Sequence, residues 1–427
     1  MGHAAAKPWY ADRRVWWQVH QWVGLKLSLV LAFILFTGTL AVLSHEIDWL
    51  LQPSLRVAPS SVEGEPRWDR IAASAAAHPR VEAILSIDEP TASAFAARVM
   101  VEFDDGKLGF LHVHPTTGVV QGEGPWVGAQ RILRNMHRHL NLPTTYGVPL
   151  VSSLALLMLL SVATSFVVYK GWWRGFFKPV RTAKARTLWG DLHRLFGVWS
   201  LWFLLLIAVT SVWYLVESLG GAAPPMPSVT VEAPEHAVAV AGGDAAASAD
   251  GTPDASSLTA LGHRVADSLA AVRREDPSLE IAMVVFPSEA NGALVFQGQR
   301  TAWLVRPRAN AAFTDPNTAR VLLTTDAEAL NVHQRISEMA DPLHFGTFAG
   351  YWSKVPWFLF GLALTFLAVS GCAIYAIRLA DRAKQAIDWR GGWRAAWVGM
   401  GRWRWASVAM IAVSFLLLPA LFFQTAG

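Results

Sequence analysis

Five long apolar stretches constrain the fold of this 427-residue chain more than any other feature. Each is close to the length of about 20 residues that a helix needs to cross the hydrocarbon core of a bilayer. Lipid offers no partners to backbone polar groups, so each stretch is predicted to be a membrane-spanning helix. The composition agrees, since 53% of the residues are hydrophobic and only 16% are charged. The stretches are residues 22–43, 148–169, 195–216, 355–377 and 406–423.

Lys and Arg cluster in the N-terminal arm and in two short connections, between the second and third stretches and between the fourth and fifth. By the positive-inside rule these three regions face the cytoplasm, and the two long connections lie outside. The net charge of +4 is therefore interpreted as topology, and nucleic acid binding is not predicted. The first apolar run exceeds a signal-peptide core, so we expect it to remain as a membrane helix.

The long connections are predicted to fold as two small α+β domains. The first contains a helix near 68–77 and a hairpin of strands 97–103 and 107–113 around "DDGK", and "HPTTG" starts a further turn. The second begins with an Ala/Gly/Pro-rich linker to about residue 256. After this linker the pattern predicts a helix at 258–274 and strands at 279–286, 292–297 and 302–306.

These elements give five consecutive segments. Residues 1–45 hold a cytoplasmic arm and the first membrane helix, and residues 46–147 and 217–354 hold the two outer domains. Residues 148–216 hold the second and third helices with a basic loop, and residues 355–427 hold the fourth and fifth helices. The predicted fold is an all-α membrane bundle, a four-helix duplicated core plus a fifth helix, with two small α+β periplasmic domains.

The duplication is visible as matches at constant offsets, which indicate an internal repeat. At 173 residues, Arg13, Trp16, His20, Gly24, Leu31, Ile34 and Thr37 match Arg186, Trp189, His193, Gly197, Leu204, Ile207 and Thr210. At 207 residues, His137, Val148, Pro149, Leu157, Leu160 and Val162 match His344, Val355, Pro356, Leu364, Leu367 and Val369. Parallel repeats imply a pseudo-two-fold axis along the membrane normal. That axis brings His20 opposite His193 near the inner face and His137 opposite His344 near the outer face.

Histidines in a membrane bundle are costly unless they have a role, and neutral imidazole is a common ligand of haem iron. Each pair is predicted to occupy both axial positions of one b-type haem, held non-covalently because the chain has no C-x-x-C-H motif. Gly24 and Gly197 would leave room for a porphyrin. The competing interpretations are interfacial anchoring for the histidines and close helix packing for the glycines.

Further residues are candidates for the same sites. Arg138 and Arg194 directly follow paired histidines and would pair with haem propionates, with Arg131 and Arg134 nearby in sequence. His45 is a candidate additional ligand, although its repeat equivalent is Ser218, and His139 is predicted at the surface or beside a ligand.

Other polar and aromatic residues of the long connections are weaker candidates. His112 and His114 share one face of a predicted strand, for which a solvated face is favoured over a metal or substrate contact. His333 and the acidic residues Glu46, Asp48 and Glu338 could line an outer site. Aromatic side chains that could contact a substrate are Trp126, Trp303, Tyr351 and Trp352.

Several phrases resemble the PepSY-associated transmembrane family, which includes bacterial inner-membrane siderophore-iron reductases. They are the His-x-x-x-Gly starts of "HQWVGLKLSLV" and "LHRLFGVWSLW", the "HEID" after the first helix and the "LHFG" before the fourth. The likeness covers about residues 10–380 and implies two b-type haems and ferric siderophore reduction in the periplasm. The chain departs from the family pattern in three features: Ser211 in place of a glycine, the long linker and the fifth helix.

The sequence therefore predicts a dihaem inner-membrane oxidoreductase, a ferric-siderophore reductase. The chain has no G-x-G-x-x-G strand-helix unit, so electrons are expected to come from a quinol or a partner protein. Two alternatives stay open: a non-redox PepSY membrane protein that regulates a protease or envelope partner, and an iron-uptake permease subunit.

Overall fold

The computed structural model describes residues 12–62, 64–231, 255–289, 291–382 and 389–423. The chain divides into two compact units. The helical unit comprises Met1–Leu43, Ile132–Ala222 and Leu343–Pro419, and the sheet unit comprises Ser44–Arg131, Ala223–Pro342 and Ala420–Gly427.

The helices are α1 (Arg13–Lys26), α2 (Ser28–Val42), α3 (Ser44–Leu51), α4 (Trp68–Ala76), α5 (Ala129–His139), α6 (Thr144–Val168), α7 (Ala185–Trp199), α8 (Leu201–Val216), α9 (Ala255–Glu275), α10 (Val332–Phe345), α11 (Tyr351–Arg382), α12 (Trp389–Gly399) and α13 (Trp403–Leu417). The strands are β1 (Val81–Asp88), β2 (Ala97–Phe103), β3 (Leu108–Val113), β4 (Val120–Pro125), β5 (Glu280–Val285), β6 (Leu294–Gln299), β7 (Asn310–Thr314) and β8 (Val321–Thr325).

Apolar helices long enough to cross a membrane agree with the predicted spans. Within the described residues there are four: Thr144–Val168, Leu201–Gly221, Tyr351–Asp381 and Trp403–Phe423. A fifth span results if α1 and α2, bent by 63° at their break, are taken as one. The chain is therefore a membrane protein with four or five spans.

The break between α1 and α2 recurs in the second repeat. It lies at Leu27, whose φ and ψ are −112° and 9°. The break between α7 and α8 lies at Ser200, 173 positions later, with φ −93° and ψ 5°. Both residues occupy the sparsely populated bridge region of backbone space, so the two repeats depart from the helix in the same way.

Helix packing in the helical unit follows the same duplication. α1 packs against α6, and its repeat equivalent α7 packs against α11. α2 packs against α11, and its equivalent α8 packs against α6. The contacts of α1 and α7 lie within their own halves, and those of α2 and α8 join the two halves, as a two-fold repeat predicts. The residues after the repeat form α12 and α13, which pack on α11 and α2 respectively.

The sheet unit contains one eight-stranded antiparallel sheet in the order β4-β3-β2-β1-β5-β6-β7-β8. The two long connections contribute four strands each and join where Ile87 of β1 pairs with Val284 of β5. α4 packs against α9 over this sheet, and a Cβ at Gly262 would lie 3.0 Å from Ala73 Cβ. The prediction of two separate α+β domains is therefore replaced by one continuous sheet. Pairing β1 with β5 removes two edges that each half would otherwise expose.

Local predictions in the sheet unit had mixed outcomes. The helices at 68–77 and 258–274 and the hairpin of 97–103 and 107–113 correspond to α4, α9 and β2–β3. Residues 302–306 form a loop instead of the predicted strand, and Leu304 has a φ of 59°. Most of the predicted linker, residues 232–254, lies outside the described residues.

Candidate functional site

His137 and His344 lie close together in the helical unit. His137 is near the end of α5, and His344 is near the end of α10. Their ring centroids are 6.0 Å apart, and the ring planes differ by 38°. Two imidazoles on opposite sides of one metal, each about 2 Å from it, would place their centroids about 6 Å apart. The spacing of this second pair therefore fits one metal between the rings.

His20 and His193 form the first pair, on α1 and α7. α1 and α7 both pack against α11, which brings together the two helices that carry these histidines. Their helices also converge on α11, because a Cβ added at Gly371 would lie 3.8 Å from both the Gly24 carbonyl oxygen and His193 Cε1. The structure thus brings together the two histidines that the first offset relates.

The Nδ1 atoms of all four imidazoles have partners on the helices of the bundle. His20 Nδ1 lies 3.0 Å from Thr164 Oγ1, and His193 Nδ1 lies 2.7 Å from Ser370 Oγ. His137 Nδ1 lies 2.8 Å from the Ile34 carbonyl oxygen. His344 Nδ1 lies 2.8 Å from Thr210 Oγ1.

Counting the hydroxyl protons allows the nitrogen that carries the hydrogen to be assigned in each imidazole. Thr164 and Thr210 each donate to backbone carbonyls of their own helices at 2.9 Å, and Ser370 donates to Leu367 at 3.2 Å. A hydroxyl has one proton, so these oxygens accept from the imidazoles. The Ile34 carbonyl can only accept. We therefore assign the Nδ1–H tautomer to all four neutral histidines, which places the metal-binding lone pair on Nε2.

The glycines around the two pairs have different surroundings. A Cβ at Gly38 would lie 2.5 Å from His137 Cε1, so the His137 ring can occupy this position only because residue 38 is a glycine. A Cβ at Gly24 would meet nothing within 4 Å, and one at Gly197 would meet only Leu367 at 3.8 Å. Gly24 and Gly197 are therefore not required for close helix contact. Their surroundings fit the interpretation that they leave room for a planar group.

The predicted arginine partners are placed differently from each other. Arg194 donates to the carbonyl oxygens of Gly175 and Lys178 at 2.9 and 3.0 Å and lies 3.7 Å from Asp191. This guanidinium binds the connection that follows α6, so a contact with a propionate would require it to leave those partners. Arg138 is exposed and stays a predicted partner.

The remaining candidates in the helical and sheet units have other neighbours. His45 belongs to the sheet unit, where its Nδ1 lies 3.3 Å from Arg98 Nη1. His139 is buried and packs against Gly147, whose Cβ would lie 2.6 Å from the His139 Cβ. Its surface placement is therefore wrong. Its role beside a ligand stays a prediction.

The predicted solvated face of His112 and His114 is wrong for His112, which is only 1% exposed. His112 hydrogen-bonds Ser54, because β3 turns this side chain toward the interior of the sheet unit. His114 lies 2.9 Å from Ser61 Oγ. Glu338 is buried against Arg306 and Arg308, so it has an internal structural partner.

The described residues include no group of three or more His, Cys, Asp or Glu side chains placed to hold a metal ion. Simple metal sites usually take three or four protein ligands. A porphyrin supplies four nitrogens itself, so two imidazoles suffice for a haem. The residues of each histidine pair could therefore hold a haem.

The sequence model of the PepSY-associated TM region matches residues 17–378. The chain belongs to this family. The match includes both histidine pairs and ends before α12 and α13. No curated protein matches the chain.

The residue patterns did not predict which groups accept hydrogen bonds from the Nδ1 atoms of the four imidazoles. Thr210 had a signal, because it belongs to the matched set with Thr37. Thr164 and Ser370 had none, because their equivalents at the second offset are Gly371 and Ala163. Gly38 matches Ser211, so the repeat does not mark it as a contact of His137.

Proposed function

We propose that this protein is a dihaem membrane oxidoreductase that passes electrons across a bacterial inner membrane to reduce ferric siderophore in the periplasm. His20 and His193 would hold one b-type haem, and His137 and His344 the other. The observation that carries the proposal is the common state of the four imidazoles. Each has Nδ1–H bound to a helix group, which orients Nε2 as a ligand.

A haem held by either histidine pair would supply one-electron transfer. The chain's own residues orient the ligands and hold their protons. Thr210 and Ser370 accept from Nδ1 while their hydroxyl protons remain on helix carbonyls. These contacts fix the ring and raise the basicity of the ligating nitrogen.

Direction and location rest on the distribution of charge. The short basic connections, with Lys178, Arg181 and Arg186 among others, favour the cytoplasmic side. The residues of the sheet unit come from the two long connections, which would then lie in the periplasm. Electrons would come from a quinol or a partner protein. Reduction favours iron release because oxygen-rich siderophores suit the hard ferric ion better than the ferrous ion.

Sealed vesicles of known orientation test this function. Chemically reduced protein should reoxidise, followed by its visible absorption, when ferric siderophore is added to the compartment that holds the sheet unit. The matched control adds the same chelate to the compartment that faces the basic connections, where no fast reoxidation is expected. Reoxidation only from the basic side, or none by any ferric chelate, would contradict the proposal.

A regulatory PepSY protein or a permease subunit would give a different result. Neither requires a stoichiometric haem, so both predict colourless protein from haem-replete cells. Transport of the iron chelate by a colourless protein would identify the permease.

A further inference from the structure

A pocket in the sheet unit is lined by residues of the first long connection, among them Asp48, Arg98, Phe110, His112, Trp126 and Arg131. Neither histidine pair is part of it. All its lining residues lie within Ser44–Arg131, so one continuous stretch of the chain builds it.

Two arginines and two aromatic rings form a continuous stack along this pocket. The Arg98 guanidinium lies 4.4 Å from the centre of the Phe110 ring. The Phe110 and Trp126 rings stack with centroids 5.6 Å apart and planes 26° apart. The Arg131 guanidinium lies 3.4 Å from the Trp126 ring. Both cations therefore lie over aromatic ring faces, and Arg131 Nε also donates to the Trp126 carbonyl oxygen at 3.0 Å.

Two donors at this stack lack acceptors. Within the described residues, Trp126 Nε1 and Arg98 Nε are buried and have no hydrogen-bond partner. A buried donor without an acceptor is destabilising, so each is a place where an incoming acceptor would gain affinity.

The acidic side chain in the pocket does not meet this need. Asp48 accepts from the backbone N–H groups of Ala129 and Gln130 at 2.7 and 3.0 Å and from Gln52 at 3.1 Å. The two backbone hydrogen bonds hold the Asp48 carboxylate at the first turn of α5. Asp88 Oδ2 lies 3.8 Å from Arg98 Nη2, at the edge of the guanidinium that also carries Nε–H, and this distance is too long for a hydrogen bond.

The His112 side chain adds no net charge to the pocket near neutral pH. Burial and the charge of Arg98 lower the pKa of His112 to about 4, so it is neutral at physiological pH. Its Nδ1 is bound to Ser54 at 2.8 Å. The pocket therefore offers a ligand the Nε–H of Arg98 and the Nε1–H of Trp126, beside two guanidinium groups.

In the second half of the sheet unit, a carboxylate of the chain itself accepts from the arginines. Glu338 of α10 accepts from Arg306 and Arg308, each at 2.9 Å, and is 2% exposed. Its equivalent at the second offset is Arg131, on α5. The second half thus provides a carboxylate to its arginines from within the chain. The first half has another cation at that position.

We propose that the Arg98–Phe110–Trp126–Arg131 pocket binds a small carboxylate-bearing anion, with ligand oxygens accepting from Arg98 and Trp126 and its planar groups against the aromatic stack. This site does not depend on the proposed haems. It would take the anion either free or as part of a metal chelate, because the recognised chemistry is the carboxylate.

Titration calorimetry on the full chain in detergent separates these sources. The probes are metal-free citrate and gallium(III) citrate, whose metal is not reduced under these conditions, so binding is measured apart from electron transfer. Saturable binding of either probe is expected. Equal affinity for both would identify the carboxylate alone as the recognised group, and tighter gallium binding would identify the chelate.

Trp126→Phe is the decisive variant because it keeps the stacked ring and removes only the Nε1–H donor. It should weaken binding about tenfold, the effect of about 1.4 kcal/mol. Arg98→Lys should weaken binding at least as much, because Lys cannot reproduce the planar guanidinium. Arg80→Gln is the matched control, since Arg80 lies 4.9 Å from the Phe103 ring elsewhere on the sheet, and it should bind as the wild type.

The absence of saturable binding by either probe would overturn this inference, as would wild-type affinity in a folded Trp126→Phe protein. Folding is checked by hydrogen exchange of β2 and β3. If the gallium chelate binds while ferric chelates are not reduced, the proposed function fails and this site stands.

Discussion

The two halves of the chain are alike in the helical unit and unlike in the sheet unit. In the helical unit, the equivalent histidines His137 and His344 lie 6.0 Å apart, and equivalent helices make equivalent contacts. In the sheet unit, the first half has a cationic pocket at Arg98 and Trp126, whereas the second half pairs Arg306 with Glu338. The duplicated helices therefore keep equivalent histidines, whereas the two halves of the sheet differ in how their arginines are paired.

Even within the helical unit, the second pair is not fully symmetric. His137 is held by the backbone carbonyl of Ile34 and lies against Gly38. His344 is held by the Thr210 side chain, and Ser211 occupies the position equivalent to Gly38. A substitution can therefore remove the acceptor of one ring and not of the other. This contrast makes the second pair the more informative one to mutate.

The largest expected effect is loss of a whole cofactor. His137→Ala and His344→Ala should each remove the same haem, and His20→Ala and His193→Ala should each remove the other, because a single remaining imidazole cannot fill both axial positions. Haem content and absorption spectra of the purified variants measure this loss. His263→Gln, at an exposed position of α9, is the control and should retain both haems. If His45→Ala removed a haem and His344→Ala did not, the assignment of the second pair would be wrong.

A nearly equal effect is expected from one added methyl group. Gly38→Ala should strip most of the haem held by His137 and His344, because the new Cβ would lie 2.5 Å from His137 Cε1 and displace the ring. Ser211→Ala, the equivalent position in the other half, should change little. Haem content and low-spin absorption of the two proteins are compared. Equal retention by both variants would remove Gly38 from the account.

Residue patterns predicted that the four histidines lie in two pairs, because the two repeats carry histidines at equivalent positions. They did not predict the acceptors Thr164 and Ser370, which belong to different positions of the two repeats. They also missed the junction of β1 with β5, because strand pairing between residues about 200 positions apart has no local signal. The strand predicted at 302–306 failed because Leu304 adopts a positive φ, which an apolar run does not reveal.

A smaller effect is expected from the acceptor of His344. Thr210→Val keeps the shape of the side chain and removes the hydroxyl, so haem affinity of the second pair should fall by about 10- to 100-fold. Thr37→Val is the matched control, because the Thr37 hydroxyl bonds only helix carbonyls among its described partners. Haem transfer to apomyoglobin, followed over time, compares the two. The same rate of haem loss in both variants would count against an orienting role for Thr210.

The smallest expected effect is the contribution of His112, a histidine of the sheet unit, to the pH dependence of stability. The pKa of His112 is lowered from 6.5 to about 4 by burial and by Arg98. The unfolded state therefore binds more protons between these values, and stability falls as the pH falls through this window. Between pH 7 and pH 5 the loss should be about 2 kcal/mol, measured as hydrogen exchange of β3.

His112→Gln should flatten this dependence, because Gln does not titrate. His114→Gln is the control on the turn after β3 and should keep the wild-type slope. A wild-type slope in His112→Gln would show that another group produces the pH dependence.

The central claim is that the two histidine pairs each hold one haem, and the most direct measurement is the haem content of the purified full-length protein from haem-replete cells. The pyridine haemochrome assay, combined with quantitative amino-acid analysis, gives haem per chain. The account predicts about two b-type haems with low-spin, six-coordinate spectra, since both axial positions of each would be imidazole. A colourless protein, or a five-coordinate high-spin spectrum, would contradict it.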